Sequence, residues 1–571
     1  MKSGICIIAA VLAAMCFQAE ASDIKQTYLT PLRVVTEQGC SDSGELLVQK
    51  SRQASLGSKH MCRMSTVGGA RSSILLDFGT ELQGGLEIVL GSSKPYRPAR
   101  MHFCFGESVS EALSDVNAPG ASATNDHAMR DFELTVPRDG SIRIGNTGFR
   151  FVRVDLVEPE QTVFVQNISA ISEQREYPSE ESGSFSCSDP ILNRIWETGR
   201  KTVLLNMQEC LWDGIKRDRL VWVGDMYPEA ATIYSCFADF DIIRRSLDVV
   251  ERQFPIPAWI NGMPAYSLWY ILLQEQLYRH SGDKAYLESK LPYIKGIIGK
   301  VDSGIKADGR LKLGSEFLDW PSSGNPEAVH QGMIALTWWS LGAADRILRE
   351  FKDQDAELAT VAAIKDRLGK SPELIPSRSN KQAAAILALS SLVDAASMSS
   401  IIEADGVHGF STFYGYYMLE TMAMAGEYGK ALDFIREFWG AMLSLGSDTF
   451  WEDFNIEWME NAGRIDAIPT PDKVDVHKTY GAYCYVGHRH SLCHGWASGP
   501  TAWMSEHILG VNVLSPSEVE LHPQLGGLEW AEGSYPLGDG KVLSVKVKRG
   551  ADGTPDVSYT APKGVKIKVV R

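Results

Sequence analysis

The stretch "CSDPILNRIWETGRKTVLLNMQE", residues 187–209, is where the hydrophobic period of the chain changes. Ser188 or Asp189 can cap a helix and Pro190 suits its first turn. From Ile191 onward apolar residues return at intervals of three and four, which predicts an amphipathic helix. Upstream, over 22–181, the pattern is different. Runs such as "SILLDFGTEL" (73–82), "RFVRVDLVEP" (150–159) and "TVFVQNISAIS" (162–172) are short, β-favouring and partly alternating, with Gly, Pro, Asp and Asn between them. With no long amphipathic helix between the runs, they predict an N-terminal β-sandwich of antiparallel sheets. Downstream, over 182–510, helical signals continue to about Leu509. Roughly a dozen helices suit a toroid of helical hairpins, each burying its inner stripe against its neighbours. Periodicity alone does not fix the number of hairpins. Residues 511–571 revert to two-residue alternation with Asp-Gly and Gly-Asp turns, predicting a small C-terminal β-domain.

The chain opens "MKSGICIIAAVLAAMCFQAEASD". One lysine precedes an apolar run too short to span a bilayer, and "AEA" at 19–21 has the small-x-small form that signal peptidase accepts. Residues 1–21 are therefore expected to be a signal peptide, with Ser22 first in the mature chain. Cys16 follows the bulky Met15, which favours soluble export over a lipid anchor. The destination would be the periplasm or the extracellular space, and in a Gram-negative source the cleavable signal favours the periplasm. Ten cysteines are present. Eight remain after processing, widely spaced and without a CxxC pair, so one or two disulfides, or none, would fit. The formal charge of -15 argues against nucleic acid and against an anionic membrane surface. Nothing demands a cofactor or a metal, and nothing fixes an oligomeric state. There is no G-x-S-x-G elbow, H-E-x-x-H helix or phosphate loop, and the spacing in "HRHSLCH" (488–494) specifies no metal site.

Three loops between helical segments concentrate polar chemistry. "DGIKRDRLVWVGD" (213–225) carries Asp213, Arg217, Asp218, Trp222 and Asp225, and Gly214 and Gly224 favour a loop over a regular helix. "GSEFLDWPSSGNPEAVHQG" (314–332) carries Asp319 and Trp320. "LGSDTFWEDFNIEW" (445–458) carries Trp451, Glu452 and Asp453, followed by "SLCHGWASG" with His494. Cleaving a glycosidic bond asks for an acid to protonate the departing oxygen and a second carboxylate to activate water or attack directly. Paired acids, guanidinium forks for hydroxyls and aromatic faces for sugar rings meet that demand. An ion-paired loop and core packing explain the same residues structurally. Thirteen of the fourteen tryptophans lie in the helical region, and core packing accounts for many of them.

The loops resemble those of the bacterial α-L-rhamnosidases of glycoside hydrolase family 78. The central motif there resembles D-C-P-x-R-E-R-x-G-W-T-G-D, and Asp213, Arg217, Asp218, Arg219, Trp222, Gly224 and Asp225 fall on its recurring positions. "LDW" (318–320) is similar to a G-D-W loop, "DTFWE" (448–452) to T-T-x-W-E, and "SLCH" (491–494) to S-L-N-H. The resemblance implies an (α/α)6 barrel with β-domains on either side, and Asp218 as general acid where glutamate is usual. It implies Glu452 as general base, and Asp213, Arg217, Trp222, Asp225, Asp319, Trp320, Trp451 and His494 as substrate-binding residues. It implies a rhamnose-containing glycan as partner and inversion by single displacement, with carboxyl groups roughly 6.5–9.5 Å apart. Arg217 is expected to address Asp213 or sugar hydroxyls rather than Asp218, whose acid form burial or a nearby acid would favour. Four departures, Asp218 for glutamate, "DGI" for D-C-P, Val221 for glycine and Cys493 for asparagine, leave two alternatives open. One is a related hydrolase or lyase of different specificity; the other is a catalytically weak glycan-binding protein.

Overall fold

The computed structural model describes residues 24–115, 130–374, 379–482, 486–551 and 553–570. The expected signal peptide, residues 1–21, and Cys484 lie outside the described residues. The seven described cysteines are free thiols. No described helix is long and apolar enough to cross a membrane.

The N-terminal strands form one hydrogen-bonded antiparallel sheet of nine strands. Its long strand Ser72–Leu90 pairs with Gly140–Leu156 on one side throughout. On the other side it pairs first with Arg33–Gln38 and then with Thr162–Arg175. The exchange falls near Gly84, where φ is 145° and a side chain would run into the Ile171 carbonyl, so only glycine fits. Leu76, Leu86, Ile88, Phe103, Phe149 and Val152 fill the core of this unit. Short helix α1 (Val109–Leu113) follows strand Ala99–Gly106 and is capped by Ser108, whose hydroxyl accepts from the Glu111 amide at 3.0 Å. This turn points Glu107 and Glu111 at the helical domain.

Among the described residues, the helices form six consecutive outer–inner pairs. They are α2 (Pro190–Asn206) with α3 (Met226–Cys236), α4 (Phe240–Gln253) with α5 (Pro264–Ser281), α6 (Lys284–Gly304) with α7 (Pro326–Arg349), α8 (Asp355–Gly369) with α9 (Lys381–Leu389), α10 (Ala395–Glu403) with α11 (Gly415–Met424), and α12 (Tyr428–Ser444) with α14 (Gly499–Trp503); the short α13 (Val476–Thr479) lies in the last connection. The inner helices α3, α5, α7, α9, α11 and α14 touch in that order and α14 closes back on α3. The result is the expected (α/α)6 barrel. Side-chain caps set several starts: Asp189 accepts from the Ile191 amide at 2.9 Å, Asn325 from Ala328 at 3.1 Å and Asn380 from Ala383 at 2.9 Å. Trp196, Trp269, Trp439, Trp451 and Trp503 are fully buried. Truncating such a ring costs about 3–5 kcal/mol, so much of the tryptophan content is barrel core.

The C-terminal strands form two sheets. Val511–Ser515, Glu518–Leu521 and Lys566–Val569 make one, its second pair parallel. Trp530–Pro536, Val542–Arg549 and Pro555–Thr560 make the other, and its fourth strand is Ser184–Cys187 from the approach to the barrel. The C-terminal module is thereby tied to the segment before α2.

Candidate functional site

All three polar loops come together at the N-terminal ends of the inner helices. Asp225 immediately precedes α3, Tyr266 lies in the first turn of α5, and Ser411 lies just before α11. The 213–225 segment is a loop, as its glycines require. Its ends are tied by Asp213 N–H to Leu220 carbonyl at 3.1 Å and Leu220 N–H to Asp213 Oδ1 at 2.9 Å. The N-terminal sheet backs it: Gly148 N–H donates to the Ile215 carbonyl at 3.0 Å, and Arg219 Nη1 donates to the Asn146 carbonyl at 2.9 Å. At its tip Asp218 and Arg219 both adopt left-handed backbone, φ 55° and 51°. For residues with a Cβ this costs about 1–3 kcal/mol each.

Arg217 holds the two proposed catalytic carboxyls. Its Nε donates to Glu452 Oε2 at 3.2 Å and its Nη2 to Glu452 Oε1, while Nη1 reaches Asp218 Oδ1 at 3.2 Å. The contact with Asp218 runs against the expectation that Arg217 would address Asp213 or sugar hydroxyls instead. Loop 213–225 faces segment 448–452 directly, so the nearest carboxylate across the gap takes the fork. It also corrects the expected burial of Asp218, whose side chain is 24% exposed against 2% for Glu452. Glu452 accepts further from the Ser491 amide at 3.0 Å.

His494 stands among three carboxylates: Nε2 lies 3.6 Å from Asp213, 3.6 Å from Glu452 and 4.0 Å from Asp225. A fourth acid, Glu229, is one helical turn beyond Asp225 and fully buried; Gly495 must lack a side chain because Glu229 occupies that space. So many acids in a dry site cannot all be ionised. Burial, then the charges of Asp225 and Asp213, pushes Glu229 well above the usual carboxylate range. Burial pushes Asp225 well above that range too, against the opposing charge of His494. Burial likewise raises Asp213, partly offset by its hydrogen bond to His494. Burial opposes the charge on His494, but the Asp213 hydrogen bond and the surrounding carboxylates raise it overall. Glu452 goes the other way: burial is outweighed by the charges of Arg217 and His494, holding it at about 2. The site therefore sets one carboxylate held ionised by Arg217 and His494 beside three whose acid forms burial favours.

The remaining predicted residues divide. Asp319 is buried, accepts from the Ser411 hydroxyl and from the Trp320 amide at 2.8 Å, and is pushed up to about 6 by burial. Trp222 packs edge-on to Tyr266 at 5.9 Å and Trp320 edge-on to Phe317 at 5.1 Å, both half-buried. Trp451 is a core residue: fully buried, it donates to Ser447 at 2.8 Å and packs against Phe454.

Several contributors carried no assignment in the sequence. Tyr266 donates to Asp225 Oδ1 at 3.0 Å. Asp453 is pushed up to about 7 by burial and by the charges of Asp319 and Glu452. Glu229 was detectable, since it follows Asp225 by four residues at the start of a helix. Lys216 and Glu107 were not. Lys216 Nζ lies 3.1 Å from both Glu107 and Glu111 and 3.5 Å from His477 Nε2. Its ammonium thus occupies the center of a Glu-Glu-His group whose ligand atoms are close enough together for a metal ion. Glu107 accepts from the Leu492 amide at 2.6 Å and the Ser491 hydroxyl at 3.1 Å, so the N-terminal sheet reaches the segment that holds Glu452.

Residues 180–338 match the family model of the bacterial alpha-L-rhamnosidase six-hairpin glycosidase domain. Among solved structures, the chain is similar to the family 78 rhamnosidase of Bacillus sp. GL1, at 21% identity and TM-score 0.72, over 90% of this chain and 55% of that one. It is similar to a rhamnosidase from Klebsiella oxytoca with rhamnose bound, at 19% identity and TM-score 0.65, over 85% and 96% of the two chains. It is also similar to the Streptomyces avermitilis alpha-L-rhamnosidase complexed with L-rhamnose, at 15% identity and TM-score 0.67, over 96% and 50%. These likenesses show the fold. The chain spans 55% of the length of the Bacillus protein and 50% of the Streptomyces protein. A comparison with curated proteins finds no match.

Proposed function

We propose that this chain is an inverting α-L-rhamnosidase that removes terminal α-linked rhamnose from a polysaccharide or glycoconjugate. The observation that carries the reading is the guanidinium of Arg217, which bonds both Asp218 and Glu452. Glu452 is the ionised carboxylate that would accept a proton from water as the water oxygen bonds to the anomeric carbon. Asp218, the more exposed of the two, would give its proton to the glycosidic oxygen as the bond from that oxygen to the anomeric carbon breaks. The sugar leaves with inverted configuration and the aglycone leaves as an alcohol. Arg217 keeps Glu452 charged until the positive charge that develops on the sugar ring takes over part of that role. Asp213 and Asp225, whose acid forms burial favours, can accept from sugar hydroxyls and, where protonated, donate to them, with His494 between them. Trp222 and Trp320 offer ring faces beside these acids.

Asp218 is one methylene shorter than the glutamate of the family pattern, and an error of about 1 Å can cost about a hundredfold in rate. The left-handed backbone at Asp218 and Arg219 supports a loop that has moved to compensate. The similar Klebsiella and Streptomyces proteins hold rhamnose, which supports rhamnose as the sugar here. Export to the periplasm belongs to the same proposal, with residues 1–21 as its signal; N-terminal sequencing of the exported protein should begin at Ser22. The test of activity is release of free rhamnose from a rhamnosylated glycan by the wild type, lost in Asp218→Asn and in Glu452→Gln. Full turnover in either variant removes that residue from its role, and an unsaturated product instead of rhamnose identifies a lyase.

A further inference from the structure

A second cavity lies at the other end of the barrel. It has a volume of about 410 Å³, within the range of small-molecule sites. The candidate active site gathers at the N-terminal ends of the inner helices, whereas the polar wall of this cavity comes largely from their C-terminal ends, with Tyr227, Tyr416 and Tyr417 reaching it from the first turns of α3 and α11. Gln276 and Arg279 come from the end of α5, Glu420 from the second half of α11, and Glu506 and His507 from the turn after α14. Strand Val511–Ser515 of the C-terminal module forms part of its wall. None of the carboxylates around His494 lines it. An aromatic layer stands at its inner end: Tyr227, Trp269, Trp339 and Tyr417 pack with ring centroids 5.0–5.9 Å apart.

Its chemistry is that of a site for a polar molecule. The turn Met504–Ile508 is π-helical, a geometry found mostly at functional positions. One ligand-type atom each from Glu420, Glu506 and His507 falls within 4.8 Å of the others. Gln276 and Tyr417 also belong to the wall, and both are buried. Aromatic faces from Trp339 and Tyr416 line the same space. A metal ion fits less well. His507 Nε2 is already engaged with Glu420 at 3.0 Å, and the guanidinium of Arg279 shares the cavity.

We infer that this cavity is a second saccharide-binding site, taking a neutral mono- or disaccharide whose hydroxyls meet Gln276, Glu420, Glu506 and His507 and whose apolar face meets Trp339 and Tyr416. It does not depend on the proposed catalysis. The test uses the full chain carrying Glu452→Gln, to suppress turnover, titrated calorimetrically with L-rhamnose, D-galactose, D-glucose and lactose. Two further substitutions are made separately in that chain: Glu420→Ala, which removes an acceptor, and Asn512→Trp, which fills the cavity's exposed wall without touching the core. The expected result is millimolar or tighter binding of at least one probe that weakens tenfold or more in both variants. In the otherwise wild-type chain the same two substitutions should leave turnover of a small substrate unchanged. The inference is overturned if no probe binds, if binding is indifferent to both substitutions, or if only Mn²⁺ or Zn²⁺ produces heat that Glu420→Ala removes.

Discussion

Arg217 grips Glu452 with two nitrogens, Nε to Oε2 at 3.2 Å and Nη2 to Oε1, while its third nitrogen reaches Asp218. Both members of the Arg217–Glu452 pair are about 95% or more buried. Removing one partner of a buried pair typically costs about 3–5 kcal/mol, because the other charge is left without compensation. Arg217→Ala is therefore expected to lose about that much in urea unfolding. Arg217→Lys keeps the charge but not the fork, so it should retain most stability and lose about tenfold or more in kcat/KM. Equal losses in both variants would show that charge alone matters.

Asp453 gives the site a pH response. Its folded value of about 7 lies well above that of an unfolded aspartate, about 3.9. The folded chain therefore binds a proton that the unfolded chain has released. By linkage the stability it contributes is fully present below about pH 4 and is lost as pH rises toward 7. Glu452 has the opposite sign. Its folded value of about 2 lies below the unfolded one of about 4.3, so its contribution is present above about pH 4.3 and is lost as pH falls toward 2. In Asp453→Asn the thermal midpoint should decline less steeply between pH 4 and 7, the other buried acids still contributing, and any inflection of kcat/KM near pH 7 that belongs to Asp453 should disappear. An unchanged midpoint profile would place the titration on another group.

Glu107 is a positioning residue contributed by the N-terminal sheet. It holds the Ser491–Leu492 backbone that in turn donates to Glu452. Glu107→Gln retains size and hydrogen-bonding capacity but leaves Lys216 with less compensation. It should lower kcat more than it changes KM, with a loss of about tenfold to a hundredfold if Glu452 shifts by about 1 Å. Glu107→Asp should recover less than half of that loss on a logarithmic scale. A purely structural role would show as a lowered thermal midpoint with kcat intact.

At position 218 the longer acid of the family pattern can be restored. If the left-handed backbone at Asp218 and Arg219 is set for the shorter side chain, Asp218→Glu should lower kcat/KM by about tenfold to a hundredfold. A gain in rate would show that the loop has not adapted.

The readable and the unreadable parts of this site differ in sequence distance. Asp213 and Asp225 could be placed on one rim because a single glycine-broken segment carries both. The change of period at residue 187 likewise exposed the switch from strands to helices. The partner of Arg217 was hidden because Glu452 lies 235 residues away and a guanidinium pairs with whichever carboxylate the fold delivers. Trp451 had the same local signature as Trp222, an aromatic beside acids. Only packing separates the core ring from the one at the pocket. Glu107 had no local signal, since its role depends on a sheet docking against a barrel. The change of partners along strand Ser72–Leu90 was equally invisible, because alternation records which face is buried and not which strand lies alongside.

The most direct test of the account is the anomer first released from an aryl α-L-rhamnoside, followed by proton NMR before mutarotation. Inversion by Asp218 and Glu452 predicts β-L-rhamnose first, with the α-anomer growing in later and no signal in Glu452→Gln. α-L-Rhamnose as the first product, or no rhamnose from the wild type, would contradict it.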